Sequence, residues 1–262
     1  YGPIPYITTT DYIANAKSSR TPVDDVYKSI ITDLLEAKEL LSDSYPTGTR
    51  VRPNRGTATA LLARVYLYNK SWADAEAQAT EVINNTAQYD LMPELNKVFL
   101  ANSDEAIWQL IPQYRYTNEA SIFILLAPPA YVTIRNNLAA AFEGGDQRRK
   151  NWVDSLKSSS GLTTWYYAYK YKEKNTSTGS EYSMVFRVAE QYLIRAEARA
   201  QQDKLTGVNS AEADINEIRS RAGLPSTTAT TKDELLTAIQ QERRVELFTE
   251  WGHRFFDLKR WD

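Results

Sequence analysis

Two glutamates near the end of the chain could do chemistry together. In QQERRVELFTEWGHRFFDLKRWD, residues 240–262, Glu242 and Glu246 stand one helical turn apart. A helical stripe through Leu235, Ala238, Ile239, Glu242, Val245, Glu246 and Thr249 places both carboxylates on the apolar side. Two inward carboxylates could be the acid and base of a glycosidase. They could equally be locked in ion pairs, because a buried carboxylate must be paired or neutralised. Arg195 and Arg199, Arg219 and Arg221, and Arg254 and Arg260 lie in segments able to reach the same core. Arginines outnumber acids in those segments, which favours a structural ion network of Glu242, Glu246, Arg195, Arg219 and Arg221 over a free acid. Glu190 and Glu197, on one helix face with Ile194, extend the same theme.

Other chemistries are poorly supplied. The absence of cysteine excludes disulfides, thiolate zinc sites and a cysteine nucleophile. The single histidine, His253, excludes a site that needs two, and it reads as a structural hydrogen-bonding residue. There is no triad, phosphate loop or metal-ligand cluster in the pattern, so no cofactor or metal is expected. A formal net charge of −2 argues against a nucleic-acid partner. No apolar run reaches the ~18 residues of a membrane-spanning helix.

Aromatic residues supply binding chemistry instead. The 17 Tyr and 6 Trp far exceed the 7 Phe, and both types join a flat apolar face to a polar tip. Tyr114 and Tyr116 follow a predicted strand in IPQYRYTNE, and Trp152 lies in the polar RRKNWVDS. These neighbours predict exposure for all three. Alternation over residues 164–172 puts Trp165, Tyr167, Tyr169 and Tyr171 on one strand face, with Tyr166, Ala168 and Lys170 on the other. That stripe reads either as sheet packing or as a stacking surface. The candidate ligand contacts are Tyr114, Tyr116, Trp152, Trp165 and Tyr167. The basic run QRRK, residues 147–150, reads as a solvated patch.

The elements that must position these residues are mostly helical. Thr21 and Pro22 open a helix with apolar residues at helical spacing to Leu41. Residues 57–69 and the stretch from Ser71 to 84 form a helical hairpin with small residues Ala63, Ala75 and Ala79 at the crossing. The spacing roughly follows a tetratricopeptide repeat. Residues 104–111 and 164–172 read as strands, with a short helix near 136–142. Residues 184–202 read as one long helix, paired with a helix from 211 closed by Gly223 and Pro225. Thr231 and Glu234 form a capping box for the last long helix. The expected fold is therefore mainly α: helical pairs at 21–85, an irregular and partly β middle at 86–183, and further helical pairs at 184–262.

Several blocks carry a family resemblance. FRVAEQYLIRAEARA, ADINEIRSRAGLP and LLTAIQQERRVELFTEWGHRFFDLKRW resemble the C-terminal signature of the SusD/RagB family. YGPIPY, RTPVDDVYKSIITDLLEAKELL, RGTATALLARVYLYNKSWADAEAQATEVI, EAIWQL and AFEGGDQRR fit its earlier parts. The resemblance implies tetratricopeptide-like helical pairs with a less regular ligand-binding region. It implies a non-catalytic nutrient-binding lipoprotein of the Bacteroidetes outer membrane, usually for glycans, partnered by a SusC-like TonB-dependent transporter. It also implies that a lipid anchor and a first helical pair precede this stretch, and that membrane attachment runs through that anchor alone. Two readings from other classes remain open: a protein-binding helical scaffold, and an all-helical glycosidase using Glu242 and Glu246.

Overall fold

The computed structural model describes residues 2–176 and 178–261. Short helix α1 (Tyr12–Asn15) precedes α2 (Val23–Leu40), α3 (Arg55–Tyr68) and α4 (Trp72–Asn84). The middle holds β1 (Ala106–Leu110), α5 (Asn118–Phe123), α6 (Asn136–Ala139), α7 (Gln147–Trp152), β2 (Val153–Lys157), β3 (Thr164–Ala168) and β4 (Ser183–Arg187). Four helices complete the chain: α8 (Val188–Gln201), α9 (Ala211–Arg221), α10 (Lys232–Glu246) and α11 (His253–Trp261). The mainly helical class with short strands agrees with the sequence.

Helix α8 is the axis of the molecule. Twelve of its fourteen residues are buried, and it packs against α4, α9 and α10. Its small residues Ala196, Ala198 and Ala200 let these neighbours approach closely. Helices α3 and α4 form the expected hairpin, with Ala63, Ala75 and Ala79 fully buried beside Ile194 and Ala198 of α8. Ala75→Trp should therefore overpack this contact and destabilise the protein by about 1–3 kcal/mol. A urea midpoint unchanged from wild type would contradict that packing.

Capping explains several boundaries. Thr231 and Glu234 form the capping box of α10. Asn54 and Thr57 form another for α3, and the Asn54 amide also donates to the Tyr89 hydroxyl at 2.9 Å. Gly56 is required beside it, since a Cβ there would run into that hydroxyl. Ser71 caps α4 by position but makes no side-chain cap bond. Pro22, rather than Thr21, occupies the cap of α2.

The structure corrects three expectations about the middle. The stretch from 184 is not helical at first: Ser183–Arg187 is β4, antiparallel to β1, and α8 starts at Val188. Met184 and Phe186 bury alternate side chains there, a period-two pattern that a helical reading absorbed. The aromatic strand ends at Ala168, where β3 has paired with the whole of β2. The expected helix at 136–142 is a single turn, α6.

Candidate functional site

The two glutamates of α10 enter a buried ion network. Glu246 accepts from Arg187 Nη1 at 2.5 Å and Arg148 Nη1 at 2.9 Å, and from Arg221. The same Arg148 nitrogen donates to Glu242, which also meets Arg219 at 3.5 Å. Glu105 accepts from Arg187 at 2.8 Å and Arg221 at 2.7 Å. Glu250 accepts from Arg187 at 2.8 Å and Lys170 at 2.5 Å. Asp146 holds Arg148 from the other side at 2.8 Å. Glu143 also accepts from Arg219, at 2.6 Å, so among the described residues six carboxylates meet four arginines and one lysine.

Burial and charge pull against each other inside this network. Burial alone would raise the Glu246 carboxyl, but Arg221, Arg187 and Arg148 overcome it and hold the group well below the ordinary range. Burial dominates at Glu242 and raises its carboxyl, with Arg148 pulling the other way. Burial also pushes Lys170 down to about 8 against the attraction of Glu250. One carboxyl raised and its neighbour depressed is the pattern expected of a general acid and its partner. Here both are buried and bonded to one guanidinium, which leaves no approach for a substrate.

The membership of the network differs from the sequence expectation. Glu242, Glu246, Arg219 and Arg221 belong to it. Arg195 does not: it pairs with Asp214 of α9 at 2.7 Å, because its position on α8 faces α9. Arg148 and Arg187 were missed and are central. Arg148 lies in the QRRK run read as solvated, yet it is fully buried. Of the wider set, Arg64 pairs with Glu190 and Arg260 with Glu197, tying α3 and α11 to α8. His253 is buried, and burial holds its imidazole well below the ordinary value, hence neutral.

Trp152 is not a surface platform. It is 0% exposed, packed edge-on against Phe99, and its indole nitrogen donates to the Leu95 carbonyl at 3.0 Å. Lys170, Arg187 and Arg221 lie 4.9–5.8 Å from its ring, so it roofs the ion network through cation–π contacts. Arg148 and Trp152, four residues apart on α7, share its inner face, while Gln147 and Lys150 point out.

The other aromatic candidates divide into two groups. Tyr114 and Tyr116 come together, their rings stacked at 6.0 Å and 20°. Tyr114 is 61% exposed and Tyr116 half-buried. They precede α5, whose cap Thr117 accepts from Ala120. Ser183 donates to Glu119 at 2.8 Å and Lys174 to the Ile124 carbonyl at 2.6 Å, which fixes this segment. Trp165 and Tyr167 instead belong to the β2–β3 hairpin. Trp165 is half-buried opposite Leu156. Tyr167 is buried and donates to Asp154 at 2.9 Å. Tyr131, 86% exposed, was not singled out from the sequence. The Pro128-Pro129 turn just before it was the available signal. Its loop is tied to β3 by the Ile134 amide donating to the Tyr166 carbonyl at 2.8 Å.

Comparison with known proteins decides the frame on which these groups are mounted. The SusD family pattern matches residues 61–262. The chain belongs to the SusD family. A second SusD-like pattern, described as starch-binding and associating with the outer membrane, matches residues 1–67. SusD-like protein P2 of Formosa agariphila is 28% identical to this chain, over 99% of its length and 61% of the relative's. Among solved structures, a SusD superfamily protein from Parabacteroides distasonis has a TM-score of 0.81 at 25% identity, covering 99% of this chain and 63% of that one. A laminarin binding SusD-like protein has a TM-score of 0.78 at 25% identity, covering 98% and 66%. The chain thus spans about three-fifths of the length of these SusD relatives.

Proposed function

We propose that this SusD-family chain binds an oligosaccharide on the aromatic surface of its middle region and does not transform it. The observation that carries the reading is the stacked Tyr114–Tyr116 pair, Tyr114 exposed and Tyr116 half-buried, on the segment leading into α5, which is anchored at Glu119 and Ile124. A flat ring covers the CH face of a sugar at low entropic cost, while phenol hydroxyls and nearby amides meet its hydroxyls. The similarity to a laminarin binding protein supports a glycan as the ligand class. Ion pairing of Glu242 and Glu246 supports binding without hydrolysis. In the cell, the protein would act as a lipoprotein at the outer-membrane surface, delivering its ligand to a SusC-like TonB-dependent transporter.

Each stacked ring should contribute modestly, so affinity depends on several contacts. In calorimetry against laminarin oligosaccharides, or against a glycan selected on an array, Tyr114→Ala with Tyr116→Ala should weaken binding about tenfold. Their melting temperature should stay near wild type, because neither ring is part of the core. Unchanged affinity in the double variant would place the site elsewhere. Release of reducing sugar during the titration would overturn the non-catalytic reading.

A further inference from the structure

The arginines of β4, α8 and α9 all bond carboxylates. Three arginines around residues 134–137 do not. Among the described residues, the Arg149 side chain makes only a cation–π contact, its guanidinium 4.8 Å from the centre of the Tyr166 ring. The Arg244 side chain makes only one bond, from Nη2 to the Asn137 carbonyl at 2.8 Å. Arg135 is exposed, and its side chain makes no cap bond to α6.

One short stretch gathers these groups. The Ile134 amide donates to the Tyr166 carbonyl at 2.8 Å, so the strand that carries the ring under Arg149 lies against it. Three residues on, the Asn137 carbonyl takes Arg244, and Arg135 lies between. From Ile134 to Asn137 the chain can span at most about 11 Å. Burial and the nearby charge of Arg254 pull the Arg244 guanidinium below its ordinary value, so a fourth arginine extends the row. The neighbouring acids are engaged: Glu143 by Arg219 at 2.6 Å, Asp146 by Arg148 at 2.8 Å, and Asp154 by the Tyr167 hydroxyl at 2.9 Å. The net charge of −2 does not cancel this row, because the local unpaired charge sets what the surface attracts. Arg149 and Arg244 are held before any ligand arrives, yet each keeps N–H donors free for the planar grip of an oxyanion. The row is spread along the chain rather than gathered at one point, which suits anions repeated along a polymer better than a single small ion.

We propose that Arg135, Arg149 and Arg244 bind the negatively charged substituents of an anionic polysaccharide, sulfate esters or carboxylates, which rests on the glycan reading above and adds charge to it. The stacked tyrosines cover the sugar rings, and the arginines select chains that carry acid groups. A bound polyanion also relieves the mutual repulsion of the arginines.

Three dextrans of equal length test it: dextran sulfate, carboxymethyl dextran and the uncharged polymer. At low salt, at least one charged form should bind about tenfold or more tightly than plain dextran. Arg135→Gln, Arg149→Gln and Arg244→Gln should each weaken that binding about fourfold and lower the slope of log affinity against log salt by about one. Arg135 holds nothing in place, so its variant should melt like wild type. Arg52→Gln removes the same charge from an exposed position beside β1 and should leave the slope unchanged. Equal slopes for Arg52→Gln and Arg135→Gln would reduce the effect to diffuse attraction and overturn the proposal. So would charged dextrans that bind no more tightly than dextran. Inorganic sulfate that competes as well at equal charge would assign the arginines to a small anion. A single-stranded oligonucleotide that binds as tightly through the same arginines would assign them to nucleic acid. Either outcome also overturns the proposal. Laminarin carries no charge, so its loss in Tyr114→Ala with Tyr116→Ala reports on the stacking site separately, and the arginine variants should leave it near wild type.

Discussion

Glu246→Ala should destabilise the protein by about 3–5 kcal/mol. The carboxylate is fully buried and accepts from Arg148, Arg187 and Arg221. Deleting it takes one carboxylate from each of three guanidinium groups, which keep only Asp146 and Glu242, Glu105 and Glu250, and Glu105 respectively, and leaves surplus buried positive charge that water cannot reach. Total stability of a typical domain is only about 5–15 kcal/mol, so the variant should be mostly unfolded at moderate urea concentrations. An exposed pair gives the contrast. Lys28 and Asp25 meet at 3.0 Å on the surface of α2, and Asp25→Ala should cost at most ~1 kcal/mol. Equal urea midpoints for the two variants would sink the claim that the network is a structural lock.

The same group predicts a pH dependence. A carboxyl held below its unfolded value of 4.5 contributes stability above that pH and loses it as pH falls through the folded value. Glu250 and Asp257 are depressed in the same sense, each against its own burial, by Arg187 and Arg243 respectively. Wild-type stability should therefore fall below about pH 4.5, and Glu246→Ala should show a shallower acid limb.

Trp152→Ala should cost about 3–5 kcal/mol, the second large effect. It removes a fully buried ring, its hydrogen bond to Leu95 and the roof over Lys170, Arg187 and Arg221. Trp152→Phe keeps most of the ring and should cost less. Had Trp152 been a sugar platform, alanine there would weaken binding and leave the melting temperature alone. The two readings therefore separate on one thermal scan, with Tyr114→Ala as the surface control.

Trp152 also shows what was legible in the sequence. Its neighbours Arg149, Lys150 and Asn151 are polar, and a linear reading makes the whole stretch polar. On a helix, however, Arg148 and Trp152 fall on one face, and only that face is buried. The helical pairs were legible because their signals are local: the capping box at Thr231 and Glu234, and the alanines where α3 crosses α4. Strand β4 was not, because its partner β1 lies far back in the chain and no local window holds both. The position of Glu242 on an apolar stripe revealed that it must be paired. Which arginines pair with it depends on how α7 and α9 converge on α10, and spacing along one helix carries no record of that. The polar neighbours of Tyr114 and Tyr116 predict exposure, which holds for Tyr114 while Tyr116 is half-buried, and their mutual stacking depends on the turn into α5.

The ion network joins groups distant in sequence: Arg148 bonds residues 94 and 98 positions away, Arg187 reaches 82, and Arg221 reaches 116. None of these bonds can form until the segments that carry them have been brought together, and each bare charge must lose its water first. The network should therefore close after the folding barrier and break before unfolding, stabilising the native state chiefly by delaying escape from it. Glu246→Ala should accordingly steepen loss of structure far more than it slows its formation, with the change confined to the unfolding arm of the chevron. Persistence of this kind is set by a rate rather than by an equilibrium.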